Sequence, residues 1–276
     1  MEKIDKSRFA WVGSDPEKRE GMARPSVTYW KDAIGRLKKN RVAMVCLCII
    51  ILLILSCVII PWVTPFDSRE QHLSCSNKGF FFSCVDERYE GQNLVHVFGT
   101  DRLGRDLLVR TFEGGRVSLM IAFAAVAVNL VVGMIYGGIS GYFGGLADNI
   151  MMRIVEVING IPYMIIVVLL MMVLPQGIFT MVIAYATTGW TGMARLVRGQ
   201  CLSLKNQEFV VASEAMGAKA GRIIGKHLLP NALSVIIINV TLAVPSAIFT
   251  EAFLSYIGLG VPVPQPSWGM LAQEGA

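Results

Sequence analysis

Uncharged runs long enough to cross a lipid bilayer restrict the fold of this chain more than any other feature, and two of them stand out as clean. Val42–Ile60 contains 19 consecutive uncharged residues and Val117–Ile139 contains 23. About 20 predominantly apolar residues are needed to traverse a hydrocarbon core of about 30 Å. The first run is not a cleaved leader, because 41 largely hydrophilic residues precede it and Pro61-Trp62 follows where a small-residue cleavage site would stand. The second is rich in Ala, Val and Gly, the small side chains that let helices approach closely in lipid. Only 16% of the 276 residues are charged and 54% are hydrophobic, whereas an average soluble domain carries about 25% charged residues. That balance excludes disorder, a collagen-like repeat and a small disulfide scaffold. The modest net charge of +5 does not call for nucleic acid, since membrane proteins gather Lys and Arg on one side.

Three further segments are apolar but interrupted. Ile154–Leu174 contains Glu156, Asn159 and Pro162; Ile178–Ala194 contains Thr187, Thr188 and Gly189; Leu233–Ile257 contains Asn239, Pro245 and Glu251. Polar interruptions suit helices that face one another or a watery path within a bundle. The expectation is an all-α polytopic membrane protein with five spans. Its parts are a tail over 1–41, a first span over 42–60, a connecting segment over 61–115 and a core over 116–276.

Lys and Arg counts give an orientation. The tail 1–41 holds 11 basic and 6 acidic residues, five of the basic ones within Lys31–Arg41, which predicts a cytoplasmic N-terminus. Segment 61–115 is then extracytoplasmic, Ser140–Asn149 cytoplasmic, Pro175-Gln176-Gly177 an outer turn, and Arg195–Asn231 cytoplasmic. That last stretch has 6 basic and 2 acidic residues, as the rule requires. Before the first span, Trp30, Ala33, Ile34 and Leu37 recur at helical spacing among Lys31, Arg36, Lys38 and Lys39. This reads as an amphipathic helix on the inner leaflet, with a solvated basic linker as the alternative. Phe80-Phe81-Phe82 suggests that segment 61–115 packs on something.

Chemistry-bearing residues are few. Cys46, Cys48 and Cys57 fall inside the first span and read as small apolar residues. Cys75 and Cys84 share the predicted outer segment, where a disulfide can persist, and are the expected pair. No Cys/His spacing resembles a zinc site, and no metal is expected. Gly138-Ile139-Ser140-Gly141 has the look of an intramembrane serine protease motif. The three histidines, His72, His96 and His227, all fall in predicted loops, so the serine has no base. No phosphate-binding Gly-rich loop is present, so the chain holds no nucleotide by itself. Among polar residues in spans, Asn159, Asn239 and Glu251 are candidates for a translocation path. Duller accounts exist: Glu156 can pair with Arg153 three residues away, and Glu251, near a span end, can snorkel.

The stretch Asn206–Asn231 is the most informative. Asn206 is placed to cap a helix whose first turn holds Glu208. Phe209, Val210, Ala212, Ala215 and Met216 supply a short apolar surface, and Gly217 stops the helix. A second helix is expected from about Ala220 to Leu229, with Pro230 ending it and turning the chain into the fifth span. Such an element suits docking in a groove of a cytoplasmic partner, or else merely caps the bundle.

At this point the sequence resembles a known family, the membrane subunits of type I ABC importers in the oligopeptide/dipeptide permease C branch (OppC/DppC type). Members carry Glu-Ala-Ala-x-x-x-Gly, then nine residues, then Ile-x-Leu-Pro. Here Gly217 holds the glycine, His227 stands at the Ile position and Leu229-Pro230 falls at the required distance, while Val211-Ala212-Ser213 replaces Glu-Ala-Ala. Gly99-Thr100-Asp101-Arg102-Leu103-Gly104-Arg105-Asp106, Gly114–Leu119, Asp148–Pro162, Ala252–Met270 and, in the tail, Val27–Asn40 resemble further stretches of the same branch, in the same order. Family members normally continue into a sixth span, so the expected fold is the type I importer transmembrane fold with that span missing.

The resemblance implies a permease subunit that is no enzyme and binds no cofactor, with ATP and Mg in partner ATPases. It implies a second permease (OppB/DppB type), two ABC ATPase subunits, an extracytoplasmic substrate-binding protein and a bacterial plasma membrane. The cargo implied is short peptides, with nickel chelates or another small solute as alternatives within the family. A non-transport membrane scaffold is the alternative class. The ATPase-coupling residues implied are Glu208, Phe209, Ala212, Ala215, Met216, Gly217, Leu229 and Pro230.

Overall fold

The computed structural model describes residues 29–85, 93–262 and 264–275. The first 28 residues of the basic tail, including the start of the Val27–Asn40 resemblance, lie outside the described residues, as do the side chains of Tyr29 and Trp30. Two compact units are present, residues 1–53 and 54–276.

In the first unit, α1 (Tyr29–Lys39) is a helix at the predicted position, with Asp32 and Arg36 paired 2.9 Å apart on its surface. The Asn40 side chain accepts from the backbone N–H of Ala43 at 3.2 Å, which caps α2 (Arg41–Val63) and lets the apolar helix start just after the basic residues.

The second unit is built around α3 (Leu107–Phe143), 37 residues long. At 1.5 Å per residue this is about 55 Å, well beyond the uncharged stretch that pointed to it. Asp106 starts the helix by accepting from the Val109 N–H at 2.8 Å. Gly133, Gly137 and Gly141 line one face, and a Cβ at any of them would collide with Met193, Ala194 or Cys201 of α6 (Ile178–Leu204). A row of hydrogen side chains every four residues is what brings these two backbones together.

The expected cytoplasmic loop 140–149 is instead a sharp reversal. α3 runs to Phe143, α4 (Gly145–Asn159) begins two residues later, and Gly144 and Gly145 take φ of +64° and +55°, a region glycine enters without steric cost. The expected straight span over 154–174 is also corrected. α4 and α5 (Tyr163–Val173) meet at a 75° bend, because Pro162 forces Ile161 out of helical geometry and cannot donate to the preceding turn.

Among the described residues, three helical runs are long and apolar enough to cross a membrane: Arg41–Val63, Leu107–Phe143 and Ala220–Tyr256. The bent α4–α5 pair adds a fourth if counted as one span. α6 has the length but a more polar middle.

Within 61–115, β1 (Phe82–Val85) and β2 (Asn93–His96) form an antiparallel hairpin in register Phe82↔His96, a small addition to an otherwise helical chain. Cys75 and Cys84 are disulfide-bonded, Cα atoms 6.3 Å apart. Phe80 and Phe81 are 75% and 73% exposed, since Phe81 has φ +56° and the chain turns there.

The turn 99–106 that joins this hairpin to α3 is dense in polar contacts. The Thr100 hydroxyl donates to the Cys75 carbonyl and accepts from Lys78 N–H. Asp101 accepts from the Leu103 and Arg105 amides and from Arg105 Nε at 2.7 Å, and pairs with Arg110. Arg110, fully buried, also reaches Glu274 of α10 (Trp268–Gly275) at 2.7 Å. Asp106 pairs with His96 at 2.7 Å, and the His96 ring stacks on Phe66.

Candidate functional site

At the far end of α3 stands α7 (Glu208–Ala215). Val210 anchors it to the bundle, and Ser213 is buried as well. Val210 is fully buried in a cluster with Val197, Cys201, Ile223, Leu228 and Ile236, and the Ser213 hydroxyl donates back to the Phe209 carbonyl at 2.7 Å. Gly217 has φ +80°, Gly217 N–H donates to the Glu214 carbonyl at 2.9 Å and Ala218 N–H to the Ser213 carbonyl at 3.0 Å. These are the two bonds of a glycine-closed helix end, so the stop expected from sequence is a geometric necessity here. The expected cap at Asn206 is corrected: the capping position is Gln207, without a side-chain bond.

With one face anchored, the rest of α7 is outward. Glu208, Phe209, Ala212, Ala215 and Met216 are exposed, as is Val211. Phe209, Ala212 and Met216 recur at helical spacing and form one apolar strip, on which Met216 is 81% exposed. The strip is tied to the bundle through Glu214, which accepts from Tyr142 Oη of α3 at 3.0 Å, with Lys205 over the Tyr142 ring.

Pro230 does not end a helix. α8 (Ala220–Ile223), a wide turn over Ile224–Leu228 and α9 (Leu229–Tyr256) form one continuous run. In the wide turn Leu229 N–H donates to the Ile224 carbonyl five residues back. The wider geometry makes room for a ring that would clash in a regular turn and that brings no N–H. Leu229 is half-buried and Pro230 exposed. The Phe209 and His227 rings lie 6.5 Å apart, joining α7 to this turn.

The structure separates the three expected path residues. Glu251 is 2% exposed and does not snorkel. It accepts from Ser118 of α3 at 2.7 Å and from Ser255 at 2.8 Å, while Ser118 also accepts from Trp268 N–H. Burial without a cation is tolerated because each carboxylate oxygen holds a hydroxyl. Asn159 ends α4, donating to the Val155 carbonyl at 2.8 Å and accepting from Thr191 at 3.0 Å. It lines a groove of about 400 Å³ between the α4–α5 bend and α6. Asn239 lines a second groove, about 340 Å³, between α3, α6 and α9.

Tyr185, Gly189 and Gly192 of α6 border both grooves. Tyr185 and Gly192 were missed in the sequence and Gly189 was read only as an interruption of a span, although their spacing of four and three residues on one helix face was the available signal. Ser140 is buried and donates to Asp148, which Arg198 of α6 grips through two nitrogens. It is a tie between α3, α4 and α6.

Comparison with known proteins follows the same lines. Residues 129–276 match the family described as binding-protein-dependent transport system inner membrane component, and residues 28–79 match the N-terminal TM domain of oligopeptide transport permease C. The Bacillus subtilis oligopeptide transport system permease protein OppC is 46% identical over 100% of this chain and 86% of its own length. The dipeptide transport system permease protein DppC of the same species is 45% identical over 96% and 80%. A solved inward-facing MetNI methionine ABC transporter aligns with a TM-score of 0.47 at 23% identity, over 54% of this chain and 74% of that one. With a relative this similar along its whole length, the chain belongs to the binding-protein-dependent inner-membrane permeases, as a multi-pass, OppC/DppC-type permease subunit of an ABC importer.

Proposed function

We propose that the chain forms half of the translocation path of a peptide importer, with a second permease of OppB/DppB type as the other half. Two ABC ATPase subunits sit below it and a substrate-binding protein delivers cargo from outside. The N-terminus and α7 face the cytoplasm, in keeping with the basic residues of the tail and of the 195–231 stretch. ATP and Mg belong to the ATPases. Peptide cargo rests on the functions of the relatives, oligopeptide and dipeptide transport.

One observation carries this reading: a short helix fixed on one side by Val210 and Gly217 leaves an apolar strip uncovered on the other. Apolar surface held rigidly in this way marks a docking site. Closure of the ATPases around ATP displaces α7. The displacement passes through the Val210 cluster and the Phe209–His227 contact into the continuous run Ala220–Tyr256, and through Glu214–Tyr142 into α3. Both are long core helices, so their tilt changes which side the path opens to. Moving such an equilibrium from 1:99 to 99:1 takes about 5.5 kcal/mol of differential ATPase binding.

Ala212→Arg places a charge in the strip, and Gly217→Pro breaks the helix end. Both are expected to abolish uptake of a defined tripeptide while the protein still inserts and co-purifies with the second permease. Cysteines introduced at Ala215 or Met216 should cross-link to an ATPase subunit in intact cells. Normal uptake by both variants, or no such cross-link, refutes the coupling role.

A further inference from the structure

The two grooves on either side of Tyr185, Gly189 and Gly192 share a chemistry that the coupling element does not use. Their polar lining is neutral. Asn129, Asn239 and Ser246 face one groove, and Asn159, Thr188 and Thr191 the other. Among the described residues the linings carry no charge until Arg195, at the α7 end.

Two of these groups are buried yet incomplete. Asn129 is 8% exposed and its Oδ1 has no hydrogen-bond partner, and Thr188 is 7% exposed and its hydroxyl has none. Leaving such groups unpaired in a low-dielectric interior is costly. Asn159 and Thr191 bond to one another, and the Ser246 hydroxyl donates to the Leu242 carbonyl.

Between the grooves the floor is low. A Cβ at Gly192 would meet nothing within 4 Å, whereas one at Gly189 would run into Asn129. Gly189 therefore seats the Asn129 amide, and Gly192 leaves the space beside it open.

The geometry points to this α6 stripe as a binding surface for the main chain of a peptide, resting on the peptide-import reading above. Every peptide unit offers one N–H donor and one C=O acceptor whatever its side chain. An amide side chain offers both complements, and a hydroxyl can take either role. Neutral partners of this kind engage each cargo alike and hold none with the strength of a charge pair, so that what enters can leave. The unpaired Asn129 Oδ1 takes a peptide N–H, and the Thr188 hydroxyl takes a peptide carbonyl or N–H, as cargo passes the stripe.

The test uses the complete transporter in cells, with the exposed Cys46 and Cys48 changed to Ala and Gly192→Cys added. The open space at Gly192 predicts near-normal trialanine uptake by this variant until N-ethylmaleimide is added, then a loss of at least ten-fold. Excess trialanine should slow labelling several-fold, and free alanine, which has no peptide bond, should not. Separately, Asn129→Leu and Thr188→Val should lower uptake of trialanine and of a lysine-containing tripeptide by the same factor, with ATPase co-purification unchanged.

Uptake indifferent to labelling, absence of protection, or factors that depend on the cargo's side chains overturn the inference. Loss of the second permease from Gly192→Cys preparations does so too, because the grooves would then be a subunit contact. If the unaltered transporter takes up no peptide, the functional reading itself fails. If it takes up peptide and these changes leave uptake untouched, only the groove assignment falls.

Discussion

The two ends of α3 are finished in opposite ways. At its start, the 99–110 turn satisfies its own charges: Asp101, Arg105, Arg110 and Glu274 close on one another, and Asp106 both caps the helix and holds His96. At its end, Tyr142 ties down a helix whose outward strip of Phe209, Ala212 and Met216 has no cover among the described residues. One end spends its polar groups on internal order, so changes there should be felt as stability. The other leaves apolar surface open, so changes there should be felt only when partners are present.

The comparison breaks most visibly at Arg110. Its guanidinium is 0% exposed and faces two carboxylates, of which Glu274 is 35% exposed, so Arg110→Ala leaves both to Arg105, a loss of at most the about 3–5 kcal/mol that follows removal of one member of a buried ion pair. Thermal unfolding of the detergent-solubilised protein should show a large drop. Combining Arg110→Met with Glu274→Gln should recover part of it, since Asp101 then keeps Arg105 as its one cation among the described residues. Unchanged unfolding of Arg110→Ala would show that water already reaches this network.

A smaller effect concerns acid. Burial pushes the Asp101 carboxyl up, but hydrogen bonds and charge from Arg105, with the charge of Arg110, outweigh it and hold the carboxyl below its ordinary value. A depressed value in the folded state means that the unfolded chain takes up the proton more readily. The stabilisation is therefore complete above the ordinary aspartate value of about 4 and is lost as pH falls through the folded one. Asp101→Asn should flatten this acid limb of the stability profile. A limb of the same steepness in the variant would assign it to other carboxylates.

How much of this was legible in sequence differs at the two ends for a physical reason. Uncharged length, the glycine stop at 217 and the small-residue richness of 117–139 are local properties, and each reappears as a helix, a left-handed cap or a close α3–α6 contact. The motif at 99–106 could be recognised but not explained, because its meaning lies in Cys75, Arg110 and Glu274, which the fold brings to it. Glu251 was misjudged for the same reason. Position along a span suggested snorkelling, and only the arrival of Ser118 from another helix makes burial affordable. Pro230 misled in the other direction, since a local rule predicted a break and the turn before it widened instead. The grooves beside α6 are formed by α6 together with α3, α4, α5 and α9, so only the stripe of Tyr185, Gly189 and Gly192 left a trace in the chain.

The smallest expected change in stability is also the sharpest test of the contrast. Met216 is 81% exposed and touches none of the buried cluster that anchors α7. Met216→Ser should leave the unfolding of the isolated subunit within about 0.5 kcal/mol of the original, as for other surface positions. Yet the same side chain stands at the outward end of the strip, where a partner would bury it. Removing a well-buried apolar side chain from an interface costs about 1–3 kcal/mol, so co-purification of the ATPase should fall together with peptide uptake while the subunit itself is unaltered. Should stability drop instead, the strip is part of the bundle's own packing. Should neither stability nor ATPase retention change, the docking surface lies elsewhere on the 195–231 stretch.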